Sequence, residues 1–177
     1  MLKRNIVIIV SFYILAILQN SFFSHFTILG TAPNLIFSLF FCLVFFSLPT
    51  QVFANDKRIN VYYQIIFYAI IAGLFSDIFF STYLGPSIIL FTAIGILIKK
   101  TQLLLRVGRD NYPFSHFIFL FLIYFILYQS LFMMYICFID PLHIPVDFNF
   151  KIILSAFYSL FLSLLGFWSI KKYVKKI

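Results

Sequence analysis

Apolar residues run along this chain in six long blocks, broken by short charged or Pro/Gly-containing stretches. Such blocks, at or near the roughly 20 residues needed to cross a bilayer, predict membrane helices. They lie at about 5–24, 33–53, 60–80, 85–98, 114–138 and 152–170. The first block follows a basic start, "MLKRN", as a signal peptide would. It is about 20 residues long and no small-x-small cleavage site follows, so a retained first helix is expected. The stretch "GTAPN" opens helix 2 and puts Pro33 in its first turn, where a missing N–H costs little. Helix 4 is short and is expected to tilt little or to sit in thinned bilayer. The expected fold class is therefore an all-α integral membrane protein, one six-helix transmembrane domain over residues 1–177.

Composition turns this pattern into a statement about solvent. The chain is 63% hydrophobic and only 10% charged, against about 45–50% and 25% for soluble domains. No globular core of this size hides so much apolar surface from water, so the medium is lipid. The net charge of +8 does not point to nucleic acid, because the basic residues occur in short clusters between apolar blocks. With both termini cytoplasmic, Lys3, Arg4, Lys57, Arg58, Lys99, Lys100, Arg106, Arg109, Lys171, Lys172, Lys175 and Lys176 all fall inside, and only Lys151 falls outside. The positive-inside bias thus predicts six helices with N and C termini in. The inner segment "KKTQLLLRVGRDNYP" suits a stretch lying on an anionic inner leaflet, and equally a solvated connector.

Candidate chemistry is sparse. There is no glutamate, which excludes HExxH-type metalloprotease helices, and no paired carboxylates, GxSxG or Gly-rich phosphate loop occurs. His25 and His143 fall in predicted outer loops and His116 at the inner end of helix 5. Cys42 and Cys137 lie in apolar runs without metal-ligand spacing. Asp140, His143 and Asp147 share an outer loop that Pro141 and Pro145 make a rigid turn region rather than a metal site. No catalytic, cofactor-binding or metal-ligating residues are expected, and no cofactor. A channel or ion-coupled carrier would line its path with several ionisable groups; only Asp77 is expected within the membrane.

Asp77 has a specific setting. Ala69, Ala72, Gly73, Ser76 and Asp77 recur at three- and four-residue spacing on helix 3 and form one narrow face. Small residues so placed admit a second helix closely. About 24 Å from the start of helix 3, the carboxylate is expected near the outer interface, wet and ionised. "STYLGPS" follows, with Gly85 relaxing the turn and Pro86 opening helix 4. The unpaired amides there are expected to be accepted by Asp77, which clasps the hairpin. The competing expectation is that Asp77 meets a partner protein from the outer half of the membrane.

These residues, in order, resemble a known family. "LQNSFF", "GTAPNLIFSLFFCLVFF" and "IIAGLFSDIFFSTYLGPSIILFTAIGIL" are similar to the bacterial rod shape-determining MreD family. The matching positions are Leu18 and Gln19, then Gly30, Pro33, Asn34 and Leu35, then Gly73, Leu74, Asp77, Leu84, Gly85 and Gly95. The likeness covers roughly residues 15–98 by motif and the remainder by hydropathy. It implies a non-enzymatic scaffold of the cell-wall elongation machinery in the bacterial inner membrane. That scaffold would bind MreC and, through it, connect MreB filaments to the elongation peptidoglycan synthase; oligomerisation is left open. Gln19, Pro33, Asn34, Gly73, Asp77, Gly85 and Gly95 are the implied structural or partner-contact residues. The family fold is thought similar to the substrate-binding (S) subunits of energy-coupling-factor vitamin transporters. Such a subunit is the alternative function. It often carries Ala-x-x-x-Ala on helix 1, where this chain has only Ala16.

Overall fold

The computed structural model describes residues 2–27, 31–47, 55–80, 84–105, 114–139 and 148–174. Six helices carry them: α1 (Leu2–Ser21), α2 (Leu35–Phe46), α3 (Asn55–Phe80), α4 (Pro86–Leu104), α5 (Phe114–Ile139) and α6 (Phe148–Val174). Among the described residues, four stretches are long and apolar enough to cross a membrane: Tyr62–Phe79, Pro86–Leu104, Phe114–Ile139 and Phe150–Trp168. Two shorter apolar helices, Asn5–Ser21 and Leu35–Phe46, accompany them. The chain is a multi-pass, all-helical membrane protein.

Several boundaries differ from those the hydropathy pattern predicts, and each for a local reason. Helix 2 stops at Phe46 rather than near residue 53. Ser47 turns extended at ψ 137°, its N–H donates to Leu43 O and its hydroxyl donates to Val44 O at 2.6 Å. Pro49 stands two residues on, and a helix rarely passes the residue before a proline. Pro33 lies before the N-cap Asn34 rather than in the first turn. Helix 4 is not short: it continues through Lys99 and Lys100 to Leu104, because Lys, Gln and Leu are good helix formers and charge alone does not end a helix. Charges likewise fail to stop α3, which begins at Asn55, and α6 runs from Phe148 to Val174. Helix 1 ends at Ser21 instead of about 24. The segments at 140–147, expected to be an outer loop, and at 106–113, expected to be inner, lie outside the described residues with the residues placed on them.

The shortest helix is the centre of the bundle. Nine of the twelve residues of α2 are buried, and it packs against all five other helices. A helix apolar all round belongs inside. Its Phe37, Phe41 and Phe45 recur every four residues and meet Phe125, Phe121 and Phe117 of α5, which recur likewise. The rings interlock edge to face at 5.1–5.3 Å: Phe37 on Phe125, Phe41 on Phe121 and Phe117, Phe45 on Phe117. In lipid there is little hydrophobic drive between helices, so close packing must hold them. Each edge-to-face pair adds about 0.5–1.5 kcal/mol beyond area. Phe91 of α4 and Tyr128 of α5 close the ladder at one end, and Phe167 of α6 at the other.

Candidate functional site

An apolar helix of twelve residues still has eight backbone groups at its ends with no partner inside it. In this bundle neighbouring helices supply many of the partners, and three of the seven residues singled out from sequence sit there. At the start of α2, the Asn34 side chain accepts from Phe37 N at 2.9 Å. Gln19, near the end of α1, reaches across so that its Oε1 accepts from Leu35 N at 2.7 Å and Ile36 N at 3.3 Å. Pro33 is buried beside them and brings no N–H to satisfy. A serine stripe on α6 completes the joint. Ser155 donates to Ala32 O, Ser159 Oγ accepts from Asn34 N at 2.8 Å, and Ser38 donates to both Asn34 O and Ser159 O.

The hairpin of α3 and α4 is the second joint. Ala69, Ala72, Gly73, Ser76 and Asp77 are all buried, on the single face that their spacing predicts. A Cβ on Gly73 would stand 2.4 Å from Ile88 Cα and 2.5 Å from Ile88 N, so the two backbones meet at that point. One turn further, Asp77 Oδ2 accepts from Gly85 N at 2.6 Å and Oδ1 accepts from Ser87 N at 3.2 Å. Gly85 holds φ at 117°, a left-handed conformation that side chains rarely adopt. Asp77 is 1% exposed, which corrects the expectation of a wet carboxylate near the interface. The carboxylate is shut in by the helix packing on either side of it. With both oxygens turned to the start of α4, it is not presented to a partner on the surface. Nearby, the hydroxyls of Ser76 and Tyr128 stand 3.5 Å apart, and Ser87 is buried.

A third joint escaped the sequence reading. Lys99, expected in an inner loop, is 1% exposed within α4. Its ammonium donates to Ser47 O at 2.6 Å, Ser47 Oγ at 3.0 Å and Gln102 Oε1 at 3.1 Å, while Gln102 Nε2 donates to Phe45 O at 3.1 Å. A cation is thus set against the carbonyl end of α2, where the helix dipole favours it. Asp77 is therefore not the sole charged side chain buried in the bundle, as the sequence had suggested. Helical phase separates Lys99 from the neighbouring exposed Lys100: once α4 continues, Lys99 extends the buried face of Phe91, Ile94, Gly95 and Ile98. The serine stripe was visible, as serines at 155, 159 and 163, but serines four apart are common in helices. Gly95 makes the last close contact: a Cβ there would stand 2.7 Å from Ile65 Cγ2 and 3.1 Å from Phe40.

The seven residues singled out from sequence are thus placed in joints rather than gathered into one pocket. Gln19, Pro33 and Asn34 share one, Gly73, Asp77 and Gly85 another, and Gly95 stands at a third contact. Among the described residues, no three histidine, cysteine or acidic side chains converge as metal ligands would. His25 lies exposed past α1, and His116 lies in the first turn of α5 with a buried Nδ1 that has no partner. Compared with family models, curated proteins and solved structures, the chain matches none.

Proposed function

We propose that this protein is a non-catalytic scaffold of the bacterial inner membrane, similar to MreD, that serves the cell-wall elongation machinery. It would bind MreC and through it link MreB filaments to peptidoglycan synthesis, with both termini cytoplasmic. One observation carries the reading. Of the twelve residues on which the resemblance rests, six make a helix cap or a close approach between helices: Gln19, Asn34, Gly73, Asp77, Gly85 and Gly95. A motif that specifies joints is what a family united by architecture would retain. A family united by a reaction would instead retain groups facing a substrate. Exposed helix faces are then the surfaces on which partners act.

Affinity capture of a tagged copy from native membranes tests the proposal. Co-purification of an MreC-like single-span protein is the expected result. Recovery of an ATPase-linked transporter module, or of a tightly bound vitamin, would overturn it in favour of the S-subunit alternative.

A further inference from the structure

α1 and α6 both pack on α2, and between them a groove of about 290 Å³ opens onto the central helix. Its walls are Leu15 and Leu18 of α1 and Leu162 and Gly166 of α6, and its floor includes Leu39 and Cys42 of α2. We propose that this groove holds one acyl chain of a bilayer lipid.

The chemistry of the lining selects hydrocarbon. Three of its residues carry polar hydrogen, and all three spend it inside the protein. Ser38 donates to Asn34 O and Ser159 O, Ser163 donates to Leu160 O at 2.8 Å, and the Cys42 thiol donates to Ser163 O at 3.7 Å. A vitamin or headgroup would find no donor on these side chains. Dimensions then separate a lipid chain from a protein helix. The floor from Leu35 to Cys42 rises about 10 Å, and the whole empty space above it, about 700 Å³ with its open side included, gives a mean cross-section of at most about 70 Å². A helix 10–12 Å across needs about 80–110 Å². A methylene chain, whose atoms keep about 4 Å from their neighbours, needs about 16–20 Å². Ten residues line the groove, too few for a second copy of the chain, since a stable interface takes about 20–30 residues a side. The lips continue directly into lipid-facing surface, with Ile14 and Ile17 exposed on α1 and Phe161 and Leu165 exposed on α6.

The test uses the full chain in vesicles of phosphatidylethanolamine and phosphatidylglycerol doped with a phospholipid bearing a mid-chain diazirine. After photolysis, adducts are mapped by peptide mass spectrometry. Adducts on Leu15, Leu162 and Gly166 are expected several-fold denser than on Phe161, which faces bulk lipid. Gly166→Leu fills the groove, and its Cβ has room, 3.5 Å from the Cys42 sulfur. It is expected to abolish the groove adducts and leave those on Phe161 unchanged; Leu162→Phe, from the same wall, serves if that variant does not fold. Groove adducts no denser than those on Phe161, adducts that survive both fillings, or a protein cross-linked there in native membranes would overturn the proposal.

Discussion

Replacing Asp77 by leucine removes an acceptor of similar size from a site where two backbone amides converge. Gly85 N, partly buried, and Ser87 N, fully buried, would both lose their acceptor beside a position 1% exposed. Leaving a buried donor unsatisfied costs about 1–3 kcal/mol. In a bilayer the unfolded reference also finds partners, which pulls measured values towards the lower part of that range. Two orphaned amides therefore predict a loss of about 2–4 kcal/mol for Asp77→Leu. Asparagine keeps one carbonyl oxygen and turns an NH₂ towards the other amide. Asp77→Asn should lose one bond, about 1 kcal/mol. Cys42, buried in α2, provides the assay. In a Cys137→Ser background its alkylation rate during a detergent melt reports exposure of the core. The expected order is wild type, then Asn, then Leu. Equal stability of the two variants would refute the clasp, because only a role in shape, and not in accepting hydrogen bonds, treats them alike.

Three further outcomes follow from the same joints. Gly73→Ala puts a methyl within 2.5 Å of the α4 backbone and should destabilise by about 1–3 kcal/mol; interhelix distances between spin labels should show α3 and α4 spread apart. Gln19→Leu should cost about 1–3 kcal/mol by stranding Leu35 N and Ile36 N, and Gln19→Glu, which keeps the acceptor, should recover most of the loss in the same melt. Lys99→Met keeps the length of the side chain but leaves Ser47 O without its donor. A loss of about 1–3 kcal/mol is expected, and Lys99→Glu, which sets an acid against a carbonyl, should fail to fold in a fluorescence-detected sizing assay.

Much of this architecture was legible in the chain. Hydropathy located all six helices, and the three- and four-residue spacing from Ala69 to Asp77 picked out the buried face of α3 correctly. Errors fell where two signals competed. Apolarity beyond Phe46 masks the stop encoded by Ser47 and Pro49, and paired lysines at 99 and 100 predict an end where the helix simply continues. What sequence does not carry is who meets whom. Phenylalanines four apart are visible in both α2 and α5, but nothing local says that they interlock. Likewise Gln19 and Leu35 are bonded across sixteen positions and Lys99 and Ser47 across fifty-two. Such bonds depend on the packing of whole helices, which becomes known only once the bundle exists.

The brevity of α2 has a consequence for how the protein is made. Twelve residues rise about 18 Å, well short of a hydrocarbon core of about 30 Å, so α2 is a poor span by itself. One end can be settled in part at once, because Gln19 is already synthesised when Leu35 appears, while Ser159 of α6 comes 125 residues after Asn34. The other end waits for Lys99, fifty-two residues later, or about 3–10 s at 5–20 residues per second. Through that interval α2 needs shelter, from the insertion machinery or at the membrane surface. Its burial is then a late event of biogenesis, complete only when α5 and α6 have followed α4.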